Sequence, residues 1–267
     1  MYAIFEKIGE LYHIEGKLQE VKKVKRGHIN DTYCVDYLED GRVKSYLFQR
    51  INNFVFKDPE QIMKNVEQVT THIRHKLELA GKGDDKRQVM RPYKHDDGYL
   101  YVSETGEYWR VMSFIFNATT YDEFDIPRLK AIGYGFGNFL AYLTDFPGGD
   151  LFETIPNFHN TRMRYDAFYK SYRDNTDGRA EEIADEMQFI KTTYEFSGLF
   201  QELYNKGELP LRVTHNDTKG NNIMIDIATG EPLAVIDLDT VMPGFAMNDF
   251  GDAVRYAANT AQRMSRI

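Results

Sequence analysis

Asp217 and Asn222 stand five residues apart in the segment Thr214-His215-Asn216-Asp217-Thr218-Lys219-Gly220-Asn221-Asn222. Fifteen residues after Asn222, Asp237 sits in the short apolar run Ile236-Asp237-Leu238-Asp239. The first segment has the form H-x-D-x-K-x-x-N. Phosphoryl transfer from ATP needs such a set: a carboxylate at the acceptor hydroxyl, an amide and a carboxylate on Mg²⁺, and a cation nearby. In that chemistry Asp217 orients the acceptor hydroxyl and receives its proton. Asn222 and Asp237 offer hard oxygen ligands to the metal, and Asp239 assists through a second metal or a water. Lys219 offsets the charge of the moving group. Any one of these residues alone reads more readily as part of a polar turn, where Asn and Asp are favoured for local hydrogen bonds. Their joint occurrence, with an acid inside a strand at this distance, favours the transfer chemistry. His215 reads as a residue that holds the loop backbone by hydrogen bonds rather than one that moves protons.

Such a loop must be carried by strands and faced by a nucleotide-binding element. The first third of the chain supplies candidate strands at 21–26, 31–37 and 45–51, with Glu39-Asp40-Gly41 as a hairpin turn signal. Asp58-Pro59-Glu60 then opens a helix, with Asp58 as N-cap and Pro59 at the first helical position. Ile62, Met63, Val66, Val69, Ile73 and Leu77 follow at helical spacing. A second hairpin spans 98–103 and 108–115. Helices are predicted over 127–143, 162–174 and 178–205, followed by a strand at 211–214 that delivers the His215 loop. Residues 222–226 and 233–237 read as a further hairpin, and 249–267 as a closing helix. This order predicts an α+β, two-lobed protein-kinase-like fold, with a strand-rich N-lobe over 1–115 and a mainly helical C-lobe over 116–267.

Composition narrows the partners. A net charge of −8 and a pI near 5.4 argue against a nucleic-acid binder. One cysteine, Cys34, excludes an internal disulfide and a cysteine-based zinc site. Glu6, Lys7 and Glu10 interrupt the apolar start, so it lacks a signal-peptide core. No stretch approaches the roughly 18 to 20 apolar residues that span a bilayer. A cytoplasmic protein without membrane association is the expectation, and oligomeric state is left open.

Several blocks make the reading specific: Gly27-His28-Ile29-Asn30-Asp31-Thr32-Tyr33, Leu47-Phe48-Gln49-Arg50-Ile51-Asn52, Tyr108-Trp109-Arg110, Glu153-Thr154-Ile155-Pro156-Asn157-Phe158-His159-Asn160, the His215 loop, and 235–255. With these the chain resembles the aminoglycoside phosphotransferase and choline kinase superfamily, whose loop reads H-x-D-x-x-x-x-N and whose metal strand reads I-D-x-[DEG]. It is most similar there to the N-acetylhexosamine 1-kinases. The resemblance implies ATP and Mg²⁺ as cofactors and a small-molecule sugar acceptor, phosphorylated at its anomeric hydroxyl. Acceptors such as an aminoglycoside, choline or homoserine remain alternatives, as does a nucleotide-binding but incomplete fragment. Members of the group continue well past the segment matching 249–255, which implies a truncated C-lobe here.

The resemblance also implies roles for further residues. The nucleotide loop has one glycine, Gly27, with Asn30 and Thr32 as donors to phosphate. Arg50 stands where a phosphate-binding lysine is usual, and a guanidinium can grip phosphate bidentately. Its ion-pair partner on the following helix is expected to be Glu67, with Glu60 as the alternative. The adenine-binding hinge falls at 112–115, bounded by Met112 and Ile115. His28, Asn30, Asp31, Asp217 and Thr218 are candidate acceptor contacts, with His28 equally a loop histidine. Glu153, His159 and Asn160 fit either a site role or a structural one. Asp249 and Asp252 are expected to brace the His215 loop from the next helix.

Overall fold

The structure, a computed structural model, describes residues 2–24, 29–82, 86–146 and 151–257. A helix not foreseen in the sequence, α1 (Ala3–Leu11), comes first; then β1 (Lys17–Lys23), β2 (Asp31–Glu39) and β3 (Arg42–Ile51) form a meander. The β2–β3 turn closes on Asp40 and Gly41, both at positive φ (47° and 77°), as a tight two-residue hairpin requires. Glu39 pairs with Arg42 across it. Helix α2 (Pro59–Leu79) starts at Asp58, whose side chain accepts from the Gln61 amide. Strands β4 (Tyr101–Val102) and β5 (Tyr108–Ser113) complete an antiparallel sheet of order β1-β2-β3-β5-β4.

Side chains on a strand alternate between faces, and here the two faces have different partners. Tyr46, Phe48, Trp109 and Val111 meet Phe5 and Ile8 of α1, and Tyr12 just past its end, on the outer face. The opposite face carries Leu47, Gln49, Arg110 and Met112 toward the rest of the molecule. Helix α2 packs on this second side, where Met63 Sδ lies 3.7 Å from an Arg110 nitrogen.

The second lobe begins after β5 with β6 (Ala118–Thr119) and α3 (Ile126–Tyr142), capped by Asp125. Helix α4 (Thr161–Asp174) follows, then α5 (Ala184–Thr193) and α6 (Leu199–Asn205). The single helix predicted over 178–205 is broken in two. Thr193 turns its hydroxyl back onto the Phe189 and Ile190 carbonyls, and the chain passes through a 3₁₀ turn to Gly198. Such back-bonding competes with the helix ladder. Strands β7 (Arg212–Thr214), β8 (Ile223–Asp226), β9 (Pro232–Val235) and β10 (Met242–Gly244) form two small sheets, β10-β7 and β6-β8-β9, and α7 (Ala246–Ala257) closes the described chain.

One hydrophobic core runs through both lobes: Ile62, Val66, Val69 and Ile73 of α2 share it with Ile132, Phe136 and Phe139 of α3 and with Ile223 and Val235 of the small sheet. Asn65, 1% exposed on the same helix, donates its amide to the carbonyls of Phe152 and Val241 and accepts from the Phe152 amide. A buried amide so satisfied fixes α2 to the loops at Phe152 and Val241. Among the described residues no helix is long and apolar enough to cross a membrane.

Candidate active site

The site is built around a loop that has almost no freedom. His215 is fully buried. Its Nδ1 lies 3.2 Å from the Asp217 amide and its Nε2 2.9 Å from the Ile236 carbonyl. A ring nitrogen facing an N–H must accept and one facing a carbonyl must donate, so the proton sits on Nε2. Phe136 and Phe139 meet the ring edge to face. His215 therefore ties the loop to Ile236, the residue before Asp237; β9 ends at Val235, so Asp237 lies just past the strand and not inside it as the sequence suggested. Asn216, at φ 66°, reverses the chain, and its side chain bonds the Thr214 and Thr240 carbonyls. Asp249 of α7 accepts from the amides of both His215 and Asn216, at 2.8 and 2.7 Å. Burial raises its pKa, while the facing His215 and the two amides oppose that shift. Gly220 is forced by packing: a Cβ there would stand 2.6 Å from Ile132 and 2.7 Å from Phe124.

That frame presents Asp217, Lys219, Asn222 and Asp237 to a cleft of about 390 Å³ between the lobes. The Lys219 ammonium lies 2.8 and 2.9 Å from the two Asp217 carboxylate oxygens. Asn222 donates its Nδ2 to the Asp217 carbonyl at 2.9 Å, so its Oδ1 is the end left for a metal. Asp237 lies at φ 61°, a backbone state that Asp and Asn reach more readily than other side chains. Its residue is exposed to the cleft, although protein packs close around the carboxyl group. That crowding, with the charge of Asp239 next, pushes its carboxyl up to about 6. A carboxylate held this way gains from a cation. Among the described residues no three His, Cys, Asp or Glu side chains form a metal cage. The donor set suits Mg²⁺, which takes one or two protein oxygens and fills its shell with phosphate and water.

The N-lobe wall differs from expectation at several positions. Asp31 and Arg50 face each other across β2 and β3 on the outer side of the sheet. There Arg50 pairs with Asp31 and Glu107, and Lys23 also reaches Asp31. Neither residue lines the cleft, because its neighbours Thr32 and Gln49 do and adjacent strand residues point oppositely. Glu67 is not the partner of Arg50: it pairs with Lys94 at 2.9 Å, on a helix that packs against the other face. Glu60, the alternative partner, is exposed on that same helix.

Asp239, expected to assist through a second metal or a water, lines the cleft beside Asp237 and is gripped by Arg110, Oδ1 to Nη1 at 2.6 Å and Oδ2 to Nη2 at 3.0 Å. Asn30 lines the cleft as well, donating to the same carboxylate at 2.6 Å and taking the Asn52 amide on its oxygen. Thr218 is 1% exposed and spends its hydroxyl on the Asp249 carbonyl at 2.7 Å, which removes it from acceptor contact. Thr32, Met112 and Ile115 line the cleft. Gly27 and His28 lie outside the described residues. His159 approaches the Asn216 carbonyl at 3.3 Å and Asn160 caps α4; Glu153 accepts from the Asn157 amide. Asp252 stands 3.4 Å from the Thr218 hydroxyl. Arg110 is the residue sequence reasoning missed. Its signal was a charge within the apolar strand Tyr108–Ser113 at a position out of phase with Trp109 and Val111.

A family model described as the phosphotransferase enzyme family matches residues 20–266. Among solved structures, an aminoglycoside phosphotransferase from Alicyclobacillus acidocaldarius is similar with a TM-score of 0.60 at 12% identity, over 91% of this chain and 68% of the other. A spectinomycin phosphotransferase solved with ADP and spectinomycin gives 0.57 at 14%, over 97% and 80%. A choline kinase from Cryptosporidium parvum gives 0.56 at 15%, over 95% and 70%. At such identities these structures establish the two-lobed, protein-kinase-like fold. The family model spans nearly the whole chain, and the protein therefore belongs to the phosphotransferase enzyme family, as a small-molecule phosphotransferase of the aminoglycoside phosphotransferase and choline kinase type.

Proposed function

We propose that the chain transfers the γ-phosphoryl group of ATP, with Mg²⁺, to the anomeric (C1) hydroxyl of an N-acetylhexosamine, giving the sugar 1-phosphate. The observation that carries the transfer is the convergence of Asp217, Lys219, Asn222 and Asp237 on one wall of the interlobe cleft. The choice of acceptor rests on the sequence blocks that resemble the N-acetylhexosamine 1-kinases.

In this reading Asp217 accepts a hydrogen bond from the acceptor hydroxyl and takes its proton as the new O–P bond forms. Lys219, already on Asp217, keeps the carboxylate aimed and lends positive charge to the moving group. Asn222 Oδ1 and the Asp237 carboxylate hold Mg²⁺, which supplies charge neutralisation on the phosphates when bound. The adenine lies against Leu47, Val66, Met112 and Ile115, an apolar slot open to the hinge. The loop frame of His215, Asn216 and Asp249 holds Asp217 in place before the substrates arrive, so little reorganisation is needed during reaction.

An ADP-release screen over GlcNAc, GalNAc, galactose, choline and homoserine tests the proposal. Turnover is expected with the two N-acetylhexosamines alone, and Asp217→Ala lowers kcat at least about 10²-fold. Turnover retained in that variant removes Asp217 from the role of base. Turnover with choline or homoserine instead moves the acceptor and leaves the transfer chemistry standing.

A further inference from the structure

The cleft lacks the cation its N-lobe wall was expected to take from β3, and the structure offers another. Among the described residues that line the cleft, the only cations are Arg110 and Lys219. Lys219 is bonded to Asp217, on the acceptor side. Arg110 stands on the opposite wall, its residue 3% exposed overall, within a row that crosses the sheet: Thr32 on β2, Gln49 on β3 and Arg110 on β5 are register neighbours. Gln49 donates to the Thr32 hydroxyl at 3.0 Å and accepts from Arg110 Nε at 2.9 Å.

Counting donors shows what remains. A guanidinium has five N–H groups. Nε–H goes to Gln49, one hydrogen of each Nη goes to Asp239, and the second hydrogen on Nη1 meets only the weak acceptor Met63 Sδ at 3.7 Å. One strong donor on Nη2 is left over. Asp239 is itself held by Asn30, so the guanidinium is fixed in its plane by contacts from three sides. A side chain with four χ angles is thereby ordered in advance, which is the entropy a phosphate would otherwise have to offset.

We propose that Arg110, carried on β5 and aimed by Asp239 and Gln49, is the N-lobe residue that binds the nucleotide's phosphates, and that Asp239 is its positioning residue and not a metal ligand. The inference rests on the nucleotide-dependent reading above and adds a residue to it. Arg50, on the far side of the sheet, takes no part. The consequence is a lobe-to-lobe device: the phosphate cation belongs to one lobe and its aiming carboxylate to the other, separated by 129 positions in sequence.

The test is calorimetric binding of adenosine, AMP and ADP to the whole chain, without acceptor. For Arg110→Gln, ADP affinity falls about tenfold or more, the scale of a lost charged hydrogen bond, while adenosine affinity is unchanged. Arg50→Gln leaves all three unchanged. Asp239→Asn keeps Arg110 but loosens it, so ADP binding weakens and Mg²⁺ binding to the ADP complex persists. Equal losses for adenosine and ADP in Arg110→Gln overturn the proposal, as does an ADP-selective loss in Arg50→Gln. Loss of Mg²⁺ binding in Asp239→Asn returns that residue to the metal. If Arg110→Gln does not fold, Arg110→Lys decides: charge is kept but the fork is lost, so ADP weakens selectively and becomes more salt-sensitive, and unchanged ADP affinity there overturns it. A wild-type chain that binds neither adenosine nor ADP refutes the kinase reading itself, a separate outcome.

Discussion

At the scale of single residues, the proposed role of Asp237 sets function against stability. Its carboxyl titrates near 6, above its ordinary 3.8, because protein crowds it and Asp239 lies close. The folded state thus holds this proton more firmly than the unfolded chain does. In the metal-free protein its contribution to stability is greatest below the ordinary pKa and is lost as pH rises through about 6. Cleft water screens part of the effect. Asp237→Asn, which suits the same positive-φ backbone, removes the charge. It is expected to raise the melting temperature at pH 7.5 in EDTA by about 2–4 °C, the response of a chain this size to roughly 1 kcal/mol. The gain should vanish at pH 4, and Mg²⁺-dependent turnover should be abolished. An unchanged melting temperature at pH 7.5 would show that the carboxylate is not destabilising.

At the scale of elements, α7 contributes through one carboxylate. Asp249 is 2% exposed and satisfies two amides of the His215 loop. Asp249→Asn supplies one acceptor where two are needed and turns an NH₂ toward an amide N–H, a mismatch of about 1–3 kcal/mol. Stability should fall by that amount and kcat by about 10²-fold, since small misplacement of Asp217 is costly; KM for ATP should barely move. A proportionate rise in KM with kcat intact would place α7 in nucleotide binding instead. The loop itself was legible in the sequence because its chemistry lies in one contiguous segment, and so were the hairpins and the Asp58 cap, which are local signals. The inner wall was legible only in part: Thr32, Met112 and Ile115 do line the cleft, whereas Gln49 and Arg110 were not foreseen. Gln49 and Arg50 differ by one position, and which of them faces the cleft depends on the partners of β3, α1 on one side and α2 on the other. A one-residue parity error exchanges the two faces, and the assignment of Arg50 and Asp31 to the site was such an error. Glu67 inherited it. Thr218 failed for another reason, because a hydroxyl's neighbours across 31 positions are invisible to spacing.

At the scale of the whole molecule, the lobes are bound together by a shared core along α2, by the buried pair Arg110–Asp239 and by Asn65. They should therefore unfold as one unit. The chain carries its own means of checking this. Its single tryptophan, Trp109, is 5% exposed in the outer core against Phe5 and Tyr33, one position from Arg110. Its emission consequently reports on the N-lobe sheet alone, whereas far-ultraviolet dichroism is dominated by the helices of the second lobe. Coincident transitions by the two signals are expected, and fluorescence lost several degrees before dichroism would mean that the sheet melts by itself. Because the indole and the Arg110 guanidinium share one stretch of β5, nucleotide binding should also shift the emission without any label being attached.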